Sequence, residues 1–172
     1  MHLLAISGSL RSRSSNTALV HAVARVLPDG HTLSIYDGLA VLPAFNPDLD
    51  VEPALLPVAA WRDELKRAAA VVISSPEYAH GVPGVLKNAL DWIVSSGEFM
   101  DKPVAIVNAS AQSKFVTDQL TETLTVMMAR VVVADAIPLE SRPEDAAELL
   151  ADATAAEHLR QAVAKLVTSA TG

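Results

Sequence analysis

The chain has 172 residues, of which 51% are hydrophobic and 19% are charged, a composition typical of one globular domain with a full core. Its net charge of −7 argues against a general attraction to nucleic acid or to an anionic membrane, so any anion site must be local. The absence of cysteine excludes disulfides and thiolate metal sites, and the five histidines do not have the spacing of metal ligands.

The first residues enter a predicted strand directly, without the basic region and apolar stretch of a signal peptide. No apolar run approaches the length of a membrane span. We therefore expect a cytoplasmic protein with no membrane partner and no nucleic-acid partner.

Short apolar segments alternate with helical patterns along the chain, as in the βαβ units of a parallel sheet. The predicted strands are residues 3–6, 31–36, 70–74, 104–108 and 131–136. The predicted helices are residues 16–27, 58–67, 83–95, 113–129 and 144–167, and we expect 168–172 to be a loose tail.

This alternation predicts a single domain over residues 1–172, a three-layer α/β/α sandwich with five parallel strands in the order 2-1-3-4-5. In such sheets the ligand lies at the carboxyl ends of the strands, where the strand order reverses. Right-handed crossovers place the loops after strands one, three and four on one edge.

The connection 37–57 contains four prolines and is longer than most loops between a strand and a helix, which suggests a functional or interface segment. In the third helix Leu86, Ala89, Leu90 and Ile93 form the core stripe, and the fourth helix directs Leu120, Leu124, Met127 and Met128 inward. We interpret Asn88, Asp91 and Trp92 as helix surface or a subunit contact. In the alternative interpretation, the third helix and the connection 37–57 simply complete the monomer.

The loop between the first strand and the first helix has the residue types of a phosphate site. A helix N-terminus attracts phosphate through its free N–H groups, and Gly8 permits a close approach of the backbone. Side-chain donors follow at Ser9, Arg11, Arg13, Ser14, Ser15, Asn16 and Thr17. The loop is neither a Walker loop nor G-x-G-x-x-G, so a monophosphate fits best. The alternative is ordinary capping by Ser14 or Ser15, with solvated arginines.

A second loop, residues 76–81, follows the buried third strand. Its backbone can bind the edge of a flat heterocycle, and Tyr78 and His80 can cover the face or rim of that ring. Glu77 can carry charge or simply hold the loop. The alternatives are that Tyr78 is a packing residue and that His80 is an ordinary loop histidine.

Gly8-Ser9-Leu10-Arg11 with Ser14 and Asn16, followed by 76–78 and 83–92, resembles the NADPH-dependent FMN reductase family. That family has the flavodoxin-like fold and includes quinone, azo-dye and chromate reductases. The resemblance implies that Ser9, Arg11, Ser14, Asn16 and Thr17 hold the phosphate of FMN. It implies that the isoalloxazine is bordered by Pro76, Glu77, Tyr78, Ala79, His80 and Gly81.

Many family members have a glycine-rich segment after the fourth strand, whereas residues 108–114 of this chain contain no glycine. Ser110 and Gln112 can still hydrogen-bond the flavin there, or they can cap the fourth helix. We include Ser110 among the predicted cofactor-binding residues.

The resemblance implies hydride transfer from NADPH or NADH to FMN, and then electron transfer to a small acceptor: a flavin, a quinone, an azo compound or a metal oxyanion. No catalytic side chain and no metal ion are required for the hydride step. The resemblance also implies a homodimer or homotetramer. The alternatives are a flavodoxin-type electron carrier without NAD(P)H activity, and FMN as a diffusing substrate.

Overall fold

The computed structural model describes residues 1–110, 112–139 and 141–172. Its five strands form one parallel sheet in the order β2-β1-β3-β4-β5, which confirms the predicted order. The strands are β1 (His2–Ser7), β2 (Thr32–Tyr36), β3 (Ala70–Ser74), β4 (Pro103–Asn108) and β5 (Arg130–Ala136).

The helices of the described residues cover both faces of this sheet. They are α1 (Ser15–Val26), α2 (Leu56–Arg67), α3 (Gly84–Asp91), α4 (Lys114–Val126), α5 (Ala146–Ala151) and α6 (Ala153–Thr171). None of them is long and apolar enough to cross a membrane.

Two apolar cores lie on opposite faces of the sheet because successive strand side chains point to opposite sides. In β1, Leu4 and Ile6 pack with α2, α3 and α4, whereas Leu3 and Ala5 pack with α1, α5 and α6. The three central strands β1, β3 and β4 are buried on both faces, which explains why they appear in the sequence as continuous apolar runs.

The parallel register brings the ends of the central strands together, with Ser7 beside Ser74. Gly8 then donates its N–H to the Ser74 carbonyl over 2.8 Å. A Cβ atom at Gly8 would lie 2.7 Å from the Ser75 Oγ and 3.1 Å from a Leu86 methyl carbon. Glycine is therefore required here by the close approach of the chain to β3 and α3.

The predicted last helix is two helices. Asp152 interrupts it because the Asp152 carboxylate accepts two backbone N–H groups at the start of α6 and so begins a new helix. The predicted loose tail is wrong, since α6 continues to Thr171. Arg130 holds this end by donating to the Ser169 carbonyl over 3.1 Å and to its Oγ over 3.3 Å.

The end of α4 also differs from the prediction. Leu120 and Leu124 are buried, and Met127 is nearly so, but Met128 is 55% exposed. Met128 lies beyond the helix with a φ of 61°, which turns its side chain away from the core. The inward orientation predicted for Met128 is therefore wrong.

The connection between β2 and α2 packs on α3 through polar groups. The Asn88 carboxamide accepts from the Phe45 N–H over 2.7 Å and donates to the Pro43 carbonyl over 2.9 Å. The Trp92 indole N–H donates to the same carbonyl over 2.8 Å, and the Trp92 side chain is fully buried. The surface position predicted for Trp92 is therefore wrong, and both side chains bind this connection within the chain, as in the alternative in which they complete the monomer.

A buried arginine fixes the second half of the connection. Arg62 donates to Asp50 over 2.6 Å and to the Trp92 carbonyl over 2.8 Å. The Ser95 hydroxyl donates to the other carboxylate oxygen of Asp50 over 2.5 Å. The pKa of Asp50 is held below its usual value mainly by the hydrogen bond from Ser95. The hydrogen bond from Arg62 and its positive charge also lower this pKa, whereas desolvation opposes the shift.

We expect Asn88→Ala to lower the free energy of unfolding by about 1–3 kcal/mol, because the Phe45 N–H loses its acceptor in a partly buried site. Urea denaturation measures the change. Asn46→Ala is the matched control, since among the described residues the Asn46 side chain accepts only from the exposed Asp48 N–H, which water can satisfy after the change. An equal loss in both variants would contradict a special role for Asn88.

The lowered pKa of Asp50 predicts a pH-dependent stability. The carboxylate stabilises the folded chain above its unfolded pKa, and this contribution is lost as the pH falls through the folded pKa. Between about pH 5 and pH 2 the free energy of unfolding of the wild type should fall more steeply than that of Asp50→Asn. Asp48→Asn in the same connection is the control. Parallel curves for the wild type and Asp50→Asn would rule out the interpretation.

Candidate ligand site at the carboxyl edge of the sheet

A cleft of about 730 Å³ lies at the carboxyl edge of the sheet, between the loops that follow β1, β3, β4 and β5. The two loops predicted to face one ligand both line it. Of the predicted residues, those that line the cleft are Ser9, Arg11, Arg13, Ser14, Ser15, Asn16, Pro76, Glu77, Tyr78, Ser110 and Gln112. The segment after β5, which no pattern in the sequence predicts to lie here, adds Leu139, Ser141, Arg142, Pro143 and Glu144.

The N-terminus of α1 opens into this cleft without a side-chain cap. Ser14 is the N-cap residue, but its side chain accepts no hydrogen bond from the first turn. The capping alternative is therefore wrong for Ser14. The N–H groups of Ser15, Asn16 and Thr17 lie at the positive end of the helix and can bind an anion.

Arginines surround this end of the cleft. Arg11 and Arg142 are exposed at its walls, and Arg13 pairs with Glu144 over 3.3 Å between the loops after β1 and β5. Both partners of the Arg13 pair are more than half exposed, so solvent screens the attraction and the pair contributes little stability. The cleft can therefore supply charge-assisted donors to a phosphate.

Two of the predicted donors point into the protein. The Asn16 carboxamide oxygen accepts from the Ser74 hydroxyl over 2.9 Å and from the Ala109 N–H over 3.3 Å. The Thr17 hydroxyl bonds to that of Ser7 over 2.9 Å, and Thr17 does not line the cleft. These side chains tie strand ends together, so the predicted role of the Thr17 side chain is corrected.

Asn108, at the end of β4, connects the segments that follow β3 and β4 through two hydrogen bonds. Its carboxamide oxygen accepts from the Ser75 N–H over 2.9 Å, and its amide donates to the Thr117 hydroxyl over 2.8 Å. The loop after β3 is thereby attached to β4 and α4. The only signal for this role in the sequence is a buried polar residue at the end of an apolar strand.

The loop after β3 turns back on itself. Tyr78 and Gly81 exchange two backbone hydrogen bonds of 3.1 and 3.0 Å. Between them, Ala79 and His80 have φ values of 50° and 58°, as a type I′ turn requires. This tip lies outside the cleft, so Ala79, His80 and Gly81 do not border it as predicted.

The side chains of this loop have separate partners. Glu77 accepts from the Val116 N–H over 3.1 Å in the first turn of α4, so its carboxylate holds the loop. Tyr78 is 51% exposed on the cleft wall, so about half of its side chain is accessible from the cleft or from solvent. The His80 ring stacks on Phe115, with centroids 4.4 Å apart and an interplanar angle of 18°.

Ser110 belongs to a turn before α4. Its carbonyl accepts from the Ser113 N–H over 3.1 Å, and its hydroxyl accepts from the Gln112 N–H over 3.2 Å. Ser113, rather than Ser110 or Gln112, is the N-cap residue of α4. Ala111, in the same segment, lies outside the described residues.

The order of strands defines a flavodoxin-like α/β protein, and the cleft lies at its switch point, where such folds bind ligands. The family described as NADPH-dependent FMN reductase matches residues 1–144. The chain belongs to this family.

Curated relatives are similar over more than half of the chain. An NAD(P)H-dependent FMN reductase of Pseudomonas aeruginosa is 39% identical over 114 residues, which are 63% of this chain and 60% of that protein. A quinone reductase of Pseudomonas putida is 36% identical over 110 residues, which are 61% of this chain and 58% of that protein. The matched part thus spans about 60% of the length of these relatives.

Among solved structures, the flavoenzyme NAD(P)H:(acceptor) oxidoreductase FerB from Paracoccus denitrificans has a TM-score of 0.79 at 21% identity. The alignment covers 99% of this chain and 97% of FerB. At this identity the likeness shows the fold, which is shared along the chain.

The residues of the cleft fit FMN, which joins a phosphate to a flat heterocycle. The uncapped N–H groups of α1 and Arg11 match the phosphate. The extended edge of residues 76–78 offers backbone groups and the exposed Tyr78 ring at the same cleft. A polar and an aromatic surface thus face one volume.

Arg11→Ala should weaken FMN binding by about 1.5–3 kcal/mol, the range for a hydrogen bond to a charged group. Quenching of flavin fluorescence measures the dissociation constant. Riboflavin, which lacks the phosphate, should bind the variant and the wild type equally well. Arg160→Ala on α6 is the matched control. Unchanged FMN affinity in Arg11→Ala would show that Arg11 only faces solvent.

Proposed function

We propose that residues 1–172 form one flavin-binding domain and act as an NAD(P)H-dependent flavin oxidoreductase with FMN in the cleft at the carboxyl edge. One observation carries the proposal: the uncapped N-terminus of α1 and residues 76–78 line the same cleft. The family and the names of the curated relatives support the same activity.

In this proposal the loop after β1 binds the phosphate. The backbone N–H groups of residues 15–17 provide preorganised donors, and Arg11 adds a charge-assisted bond. Hydroxyl groups of Ser9, Ser14 and Ser15 complete the shell. Asn16 contributes through its backbone, because its carboxamide oxygen already has two donors.

Residues 76–78 and Ser110 orient the ring at the other side of the cleft. Bound FMN would supply the group that takes hydride from NAD(P)H and returns electrons to a second substrate. The protein then needs no nucleophile or general base. It has to hold the ring, leave one face open and exclude competing reactions.

We propose a quinone or a similar planar molecule as the second substrate. The half-exposed ring of Tyr78 on the cleft wall offers a flat apolar surface to such a molecule. Relatives named quinone reductases support this class. If NAD(P)H and the acceptor use the open face in turn, the kinetics are ping-pong.

A homodimer or homotetramer would cover exposed apolar side chains of residues 37–57, such as Val41 and Val51.

The test is the visible spectrum of the purified protein before and after NADPH or NADH under anaerobic conditions. We expect a yellow protein whose flavin band is bleached by the nucleotide and restored by a quinone. Light scattering on the same sample gives the oligomeric mass.

Each other outcome selects an alternative. Failure to bind added FMN contradicts the cofactor proposal. Bound FMN that neither nucleotide bleaches indicates an electron carrier, and loss of the band on dialysis with retained activity indicates FMN as a diffusing substrate.

A further inference from the structure

The tip of the loop after β3 is strained. Ala79 and His80 both have positive φ, a region that residues other than glycine adopt uncommonly and that is more frequent for histidine than for alanine. Such strain persists only where surrounding contacts hold it, and it is concentrated at functional sites. The tip buries little, since Ala79 and His80 are exposed, so stability of the core does not account for it.

The contacts that hold this tip come from α4. Gln119 donates from its amide nitrogen to the His80 carbonyl over 3.1 Å, and its amide oxygen accepts from the Val82 N–H over 3.2 Å. One turn earlier, Phe115 stacks on the His80 ring. Residues three or four apart share a helix face, so one side of α4 holds both the backbone and the ring of the turn.

Gln119 does not line the cleft, but the loop it holds does. Pro76, Glu77 and Tyr78 form one cleft wall and continue directly into the turn. The bonds between Tyr78 and Gly81 close only while the positive φ values of the two residues between them are kept. A change at Gln119 would therefore reach the ligand through the position of Tyr78.

We infer that Gln119, assisted by Phe115, is a positioning residue for the flavin ring: it keeps the turn 78–81 in its strained form and so sets the wall of residues 76–78. This inference rests on the proposed function. It concerns the ring end of the ligand only, whereas Arg11 and the N-terminus of α1 act at the phosphate end.

Gln119→Ala tests the inference with two ligands. We expect FMN and riboflavin to lose affinity by the same factor, about tenfold, the order expected for the loss of two neutral hydrogen bonds. Arg11→Ala instead weakens FMN alone. The visible band of bound FMN should shift in Gln119→Ala and stay unchanged in Arg11→Ala, because only the first variant alters the surroundings of the ring.

Three further variants separate positioning from general damage. Ala79→Gly removes strain at one position, so adding it to Gln119→Ala should recover part of the lost affinity. Gln119→Glu keeps the acceptor for the Val82 N–H but loses the donor to the His80 carbonyl, and it should be intermediate. Gln161→Ala on α6 is the matched control and should change nothing, since within the described part of the chain the Gln161 side chain bonds only to Glu157.

Hydrogen exchange of the flavin-free protein provides a readout independent of the ligand, and the Val82 amide should exchange faster in Gln119→Ala. Because Gln119 is exposed, truncation opens no cavity, and an unchanged urea midpoint verifies folding. Faster exchange with unchanged affinity for both flavins would overturn the inference. A loss confined to FMN would also overturn it. Absence of flavin binding by the wild type would overturn the proposed function as well.

Discussion

The close approach of three parallel strand ends is the constraint on which the cleft depends. Gly8 passes so near Ser75 that any side chain would collide, and the carboxamide of Asn16 joins the end of β3 to the residue after β4. Asn108 makes the second connection, between Ser75 and α4. Both loops that face the ligand start from these fixed points. Their relative position is therefore set by buried and partly buried hydrogen bonds, which are costly to break when only one partner is removed.

This arrangement divides the work between side chains and backbone. Side chains that are expected to bind a ligand by residue type, namely those of Asn16, Thr17 and Glu77, are committed to internal contacts. The first N–H groups of α1 remain free of side-chain caps. Backbone donors fixed at a helix end need no reordering when an anion binds, so the entropic cost of binding is low. The flexible arginines then add positive charge at the rim of the cleft, whereas the backbone donors of α1 fix the position of the anion.

The sheet order and the two cleft loops were predictable because apolar strands, helical periodicity and their alternation are local signals. The orientation of single side chains was not, because it depends on contacts distant in sequence. Asn88 and Trp92 have the helical spacing of surface residues, yet both donate to the carbonyl of Pro43 in the 37–57 connection. The segment after β5 reaches the cleft by tertiary placement alone. The break at Asp152 has a local signal in the sequence, because aspartate before an apolar helical pattern marks a candidate helix N-terminus.

The net charge of the chain is −7, yet the FMN and the NAD(P)H proposed to bind it are anions. At physiological ionic strength, charges are screened beyond about 8 Å, so an approaching anion experiences mainly the groups near the cleft. Three arginines line the cleft together with two carboxylates: Arg11, Arg13, Arg142, Glu77 and Glu144. Glu77 already accepts from the Val116 N–H. Glu144 already pairs with Arg13. The local field at the mouth is thus set by arginine and by the end of α1. An acidic surface elsewhere leaves this cleft as the place where a phosphate is attracted, which favours one orientation of the ligand over others.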